Sequence, residues 1–167
     1  MNREKRLVQN VVHHQLLEIA EAAPSPYERQ EADRAARKAC RQLGLPPGTA
    51  RVRFYSPFHP ALPLAPGQLG STDAVEGRTV WVQAGQGIEL RASVRHEVGH
   101  FGQVVAGEQP NHDGLSTRDD SWRGCRVERF AQGDKQARKE LRRGIRLAIQ
   151  PAADVQNFRD PQKGTPT

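Results

Sequence analysis

The sequence predicts an α+β domain, and three observations predict it. Two N-terminal stretches, about 3–22 and 25–43, carry apolar or small residues at helical spacing. Two short runs, 51–55 and 78–83, alternate apolar with polar residues, and two more helical stretches follow over 88–106 and 134–149. Helices, then a small sheet, then helices again is a segregated order, unlike the strict β-α alternation of parallel α/β folds. At 167 residues the chain can bury one core. It divides into an N-terminal helical segment over 1–48 packed on the domain, a main domain over 49–150, and a tail over 151–167 expected to lack regular structure.

In the first helix, placed from Arg3 to Ala22, Leu7, Val8, Val11, Val12, Leu16, Ile19 and Ala20 form the apolar stripe. His13 and His14 lie in its middle; neighbours on a helix point about 100° apart and cannot share an ion as an i, i+4 pair does, so both read as surface or half-buried residues. Ser25-Pro26-Tyr27-Glu28 is a capping box with proline at the first helical position, opening a helix to Leu43 that Gly44 and Pro46-Pro47-Gly48 end. Its inner face of Ala32, Ala35, Ala36 and Ala39 suits close packing, and Arg29, Arg34, Arg37, Lys38 and Arg41 read as solvated.

The first strand, Arg51–Tyr55, turns Val52 and Phe54 to one side. Residues 56–70 hold Pro57, Pro60, Pro63 and Pro66, which forbid regular ladder pairing and predict an extended loop with His59 exposed. The run Arg78–Gln83 puts Val80 and Val82 on one face and Thr79 and Trp81 on the other. Read as an edge strand one short loop from the next helix, it would accept an extended peptide by strand addition.

The helix over Ile88–Ala106 opens after Gly85-Gln86-Gly87 and closes at Gly107 with Pro110 shortly after. Leu90, Val94, Val98, Phe101 and Val105 form one stripe, leaving a separate face for His96-Glu97-Val98-Gly99-His100, an HExxH pattern. Histidines four apart differ by about 40° in direction and about 6 Å along the axis, so both imidazoles can reach one ion. Zinc accepts them, lowering the pKa of a bound water from about 15.7 to near 7, while the intervening Glu97 is placed to act as general base.

Beyond it, a polar loop runs to Asp119-Asp120, where Asp120 or Ser121 would cap a helix starting at Trp122; Gly133-Asp134 interrupts, and Asp134 would cap a last helix to Ile149. There Ala137, Leu141, Ile145 and Ala148 are apolar, and Lys135, Arg138, Lys139, Arg142, Arg143 and Arg146 fall within about 140° of arc beside them. Such a stripe is either a nucleic-acid contact or a solvated face.

The net charge of +6, carried by twenty Arg against five Lys, favours polyanionic partners such as nucleic acid. Cys40 and Cys125 are too few and too far apart for a disulfide framework, so they read as free thiols of an intracellular chain. No apolar run approaches the ~18 residues of a membrane span, and the N-terminus shows no signal-peptide pattern, which leads us to expect a soluble, cytoplasmic protein.

A catalytic zinc takes three protein ligands, of which HExxH supplies two. Gln103 and Ala106 exclude the HExxHxxGxxH arrangement. The candidates for the third are His112, Glu108, Asp113, Asp119, Asp120, Glu128 and Asp134. His112 is reachable, because five or six loop residues at ~3.3 Å each can climb back the ~9 Å from the helix end to His100; Glu128 is reachable from the following helix. HEVGH, then eleven residues, then His112 within Pro110-Asn111-His112-Asp113-Gly114, then Trp122-Arg123, resembles the SprT-like (Spartan) metalloproteases, whose third zinc histidine follows HExxH in an HGxxW-like context. The resemblance spans roughly 78–126; here Gly does not directly follow His112, and Trp122 comes ten residues after it. It implies a zincin-like fold, zinc-dependent peptide hydrolysis, His112 as the third ligand and action on proteins at DNA. Val127-Glu128-Arg129-Phe130-Ala131 resembles part of a helix in ImmA/IrrE-like zinc peptidases, where a glutamate is the third ligand, but that glutamate's place falls on Arg126.

The expectation is therefore a zincin-like metalloprotease domain with His96, His100 and His112 as zinc ligands, Glu128 as the alternative third ligand, and Glu97 as base. The competing expectation, a nucleic-acid-binding protein with a closed structural zinc, needs a further ligand such as Cys125.

Overall fold

The computed structural model describes residues 3–62, 70–72, 78–111 and 125–157, and within the terminal helices the side chains of 3–10 and 150–157 are not among them. Five helices and three strands are found there: α1 Arg3–Ile19, α2 Pro26–Leu43, β1 Arg51–Tyr55, β2 Gly70–Thr72, β3 Thr79–Gln83, α3 Leu90–Val105, α4 Arg126–Ala131 and α5 Lys135–Asn157. A single 3-10 turn, Gly87–Glu89, leads into α3. The class is α+β.

Local signals set α2 as expected. The Ser25 hydroxyl accepts from Glu28 N–H, the Glu28 carboxylate accepts from Ser25 N–H, and Gly44 closes the helix in the left-handed conformation. Its alanine face allows the backbone to sit close to α3 and α5: Ala32, Ala36, Ala39, Cys40 and Leu43 are buried in one cluster with Val94, Val98, Leu141 and Ile145. α1 ends three residues earlier than periodicity indicated, because residues 20–22 turn to pair with β1. Ala22 N–H donates to Phe54 O, Ser56 N–H donates to Ala20 O, and Glu21 bridges Tyr55.

The sheet order is β1-β3-β2, with β1 parallel and β2 antiparallel to β3. This corrects two expectations. β3 is the central strand, not an edge, since the 56–78 connection returns a strand to its far side; and that strand, Gly70–Thr72, begins where the proline-rich loop was expected to end. Three polar or small residues carry no apolar alternation, so β2 is held by contacts from elsewhere in the chain, its pairing to β3 and the Thr72 hydroxyl on Glu97. It ends the sheet on the side opposite β1, whose own outer side pairs with residues 20–22.

Register puts Val52 beside Val80 and Phe54 beside Val82, facing α2 and α3 in the main core. Burying each such side chain fully stabilises the fold by about 1.5–3 kcal/mol. The opposite face, with Tyr55 and Trp81, packs on Leu17 and Ala20 of α1, and the Arg53 guanidinium stacks 4.3 Å from the Trp81 ring centre.

Three further expectations change. α3 is not anchored on one stripe alone: Glu97, Gly99, His100, Gly102 and Gln103 are buried as well as Leu90, Val94, Val98 and Phe101, since the sheet, α2, α4 and α5 enclose it. The helix expected from Trp122 begins at Arg126; Trp122 and its expected caps lie outside the described residues. α5 continues past Ile149 through Pro151 to Asn157, so the first seven residues of the expected unstructured tail are helical, and the rest of it, 158–167, lies outside the described residues; a proline removes one helical donor, and the helix formers Ala152 and Ala153 follow it. No described helix is long and apolar enough to cross a membrane.

Candidate metal centre

α3 carries the centre. Its i, i+4 histidines converge through their Nε2 atoms, which lie 3.0 Å apart. Tetrahedral zinc with Zn–N of about 2.0–2.1 Å holds ligand atoms about 3.3 Å apart, so an opening of a few tenths of an ångström would fit the ion. The outward nitrogens are both engaged. His96 Nδ1 is 2.6 Å from Glu128 Oε2, and His100 Nδ1 is 2.9 Å from Gln103 Oε1. A carboxylate and an amide oxygen accept, so each Nδ1 donates; in the neutral rings the lone pairs then sit on the two Nε2 atoms that face each other. Facing lone pairs repel unless a proton or a cation lies between them, which makes the donor set suited to a metal.

Glu128 is thus on the outer side of the His96 ring, with its other oxygen accepting from Gln132 Nε2 at 3.1 Å. This is the carboxylate–histidine pairing that fixes a ligand's tautomer and orientation. Burial lowers the His96 pKa, but the hydrogen bond with Glu128 and the charges of Glu97 and Glu128 more than reverse it, leaving it raised.

Glycine in the middle of the motif lets α4 come this close. A Cβ at Gly99 would lie 2.9 Å from Val127 Cγ1 and 3.4 Å from Phe130 Cδ1. Arg95 then ties down the end of α4, donating to Phe130 O at 2.8 Å and Ala131 O at 2.9 Å and stacking 4.9 Å from the Phe130 ring centre, while Arg126 pairs with Glu108 at 3.1 Å.

Glu97 is buried between α3 and β2. The Thr72 hydroxyl lies 2.7 Å from Glu97 Oε2 and 2.9 Å from the Glu97 carbonyl oxygen. Gly70 supplies the space, since a Cβ there would be 2.7 Å from Glu97 Oε1. Burial raises the Glu97 pKa above the usual carboxylate range; His96 and the Thr72 hydroxyl pull against it, and Glu128 adds to it.

Of the residues singled out in the sequence, His96, His100, Glu97 and Glu128 come together. His112, Asp113, Asp119 and Asp120 lie outside the described residues. Glu108 is taken by Arg126, and Asp134 caps α5 by accepting from Gln136 N–H and Ala137 N–H. Cys125 is buried in the main core at the head of α4. His14 faces Ser71 from α1 on the far side of the sheet, and His59 is half-buried rather than exposed, its Nδ1 accepting from Ala61 N–H in a local turn. Among the described residues no group of three or more His, Cys, Asp or Glu could hold an ion by itself. Gln103, Thr72, Gly70 and Arg95 escaped the sequence reading. Only Gln103 left a signal there, its i+3 spacing from His100. Comparison of the chain with protein-family models, with curated proteins and with solved structures finds no match.

Proposed function

We propose that this chain is a zinc-dependent metallopeptidase in which His96, His100 and His112 hold the metal and Glu97 is the general base. The observation that carries this reading is the pair of imidazoles meeting through Nε2 at 3.0 Å, each fixed from behind at Nδ1, with a buried carboxylate on the residue between them. Bound zinc would supply a Lewis acid that polarises the scissile carbonyl and acidifies the attacking water. Glu97 takes that water's proton onto its carboxylate and delivers it to the departing amine nitrogen. A carboxyl whose pKa is raised by burial suits both halves of this transfer. Glu128 orients His96 instead of ligating. His112 would supply the third ligand; in support, Asn111, the residue before it, donates its N–H at 3.1 Å to Gln103 Oε1, the atom that also holds His100.

An extended substrate would run beside the edge strand β2, whose Gly70 and Thr72 lie against Glu97. The resemblance to SprT-like proteases extends the reading to substrates associated with DNA. In support, Lys135, Lys139, Arg142, Arg143 and Arg146 are exposed along α5 beside the half-buried Arg138.

The test is zinc content and peptidase activity of the purified protein. One zinc per chain is expected, lost in His96→Ala and His100→Ala; Glu97→Gln should keep the zinc and lose activity by about 10²–10⁴-fold. Stoichiometric zinc in both histidine variants would remove the metal reading. A thiolate band in the cobalt-substituted protein, abolished by Cys125→Ser, would favour a structural zinc in a nucleic-acid-binding protein instead.

A further inference from the structure

Gln103 lies one turn after His100 on α3 and is 1% exposed. Its Oε1 is 2.9 Å from His100 Nδ1 and 3.1 Å from Asn111 N. Its Nε2 is buried with no hydrogen-bond partner among the described residues. A carboxamide with an idle NH2 is a costly way to fill a buried position, and an apolar side chain of similar size would fill it without that cost. What the position uses is the carbonyl oxygen, whose two lone pairs are shared between an imidazole N–H and a backbone N–H. Since that oxygen can only accept, it keeps the His100 proton on Nδ1 and turns the Nε2 lone pair toward His96. The neutral ring could otherwise carry its proton on either nitrogen.

We infer that Gln103 is a positioning residue for the metal centre: it fixes the tautomer and direction of the His100 ring and, through the same oxygen, clamps the Asn111 backbone beside it. Its purpose rests on the zinc reading above, but the tautomer it imposes does not. Gln103 and Glu128 then play matched parts, each holding one histidine from its outer side, one from within α3 and one from α4. The glutamine is the neutral member of the two.

The experiment compares Gln103→Met, which keeps the volume and loses the acceptor, with Gln103→Glu, which keeps the acceptor. Two quantities are read: the His100 tautomer in metal-free protein, from long-range ¹H–¹⁵N NMR, and zinc affinity, by competition with a chromophoric chelator. Wild type should show the Nδ1–H form at His100. Gln103→Met should lose it and bind zinc about 10–100-fold more weakly, and Gln103→Glu should retain both. A merely structural role would lower the melting temperature of Gln103→Met and leave the tautomer in place. An Nε2–H tautomer in wild type overturns the inference even if Gln103→Met fails to fold, as does an unchanged Nδ1–H form in a folded Gln103→Met. Wild type with the Nδ1–H form but no zinc binding would overturn the peptidase reading and the metal-centre purpose, and leave standing only the tautomer that Gln103 imposes.

Discussion

Gly99→Ala isolates the contact that brings Glu128 to His96. The added Cβ would meet Val127 Cγ1 at 2.9 Å and Phe130 Cδ1 at 3.4 Å, so α4 must move away from α3 by a few tenths of an ångström or more. Overpacking of this kind costs about 1–3 kcal/mol, and replacing glycine by alanine inside a helix returns about 1 kcal/mol. The net loss of stability should therefore be about 0–2 kcal/mol, small enough for the fold to survive. The effect on the metal should be larger in proportion. α4 is six residues long and held at one end by Arg95 and at the other by Arg126–Glu108, so it should shift as a unit and draw the Glu128 carboxylate off its 2.6 Å contact with His96 Nδ1. Losing such an outer partner weakens metal binding by about 10–100-fold, equivalent to about 1.4–2.7 kcal/mol. Chelator competition for zinc and a thermal melt, run on the same preparations, measure the two effects separately. Val127→Ala added to Gly99→Ala removes the clashing methyls and should restore affinity toward wild type. Unchanged zinc affinity in a folded Gly99→Ala, or no recovery in the double variant, would refute the link between glycine, helix approach and histidine orientation.

If the α5 stripe contacts phosphates, binding to DNA should be sequence-independent, and each contact should add about 0.7–0.9 to the slope of log affinity against log salt. Reversing Arg138, Arg142 and Arg146 to glutamate should flatten that slope with zinc content unchanged; an identical slope in the triple variant returns the stripe to a solvated surface. His13 makes stability pH-dependent. Burial first, and then the neighbouring His14, lower its pKa below the ordinary histidine value, and its Nε2 is buried without a hydrogen-bond partner among the described residues. The unfolded chain thus binds the proton more readily than the folded one, so the stability is fully present above about pH 6.5 and is lost as pH falls toward and through the folded value. Melting temperature followed from pH 7.5 to 5 should fall less steeply in His13→Leu than in wild type, and parallel curves would exclude the role given to His13.

The sequence by itself determined whatever depends on neighbours along the chain. The Ser25–Glu28 box and Gly44 bounded α2 correctly, and Asp134 was recognised as the cap of α5, because a helix end is satisfied within a few residues of itself. Alternation placed Val52, Phe54, Val80 and Val82 on one face, and the i, i+4 spacing alone brought His96 and His100 to a common point. Tertiary structure decided the rest. β2 has no apolar pattern and forms because it pairs with β3 while Gly70 leaves room for Glu97 and Thr72 bonds it, a residue-to-residue fit across 25 positions. With β2 in place β3 became central, so the edge of the sheet moved to another strand. The role of Glu128 was undecidable from spacing, since a carboxylate on the next helix can approach a histidine from either side of its ring. Which side it takes is fixed by how closely α4 packs on α3 at Gly99 and Val127, and packing of that kind is a property of the assembled core, whose contacts join residues too far apart in sequence to leave a local pattern.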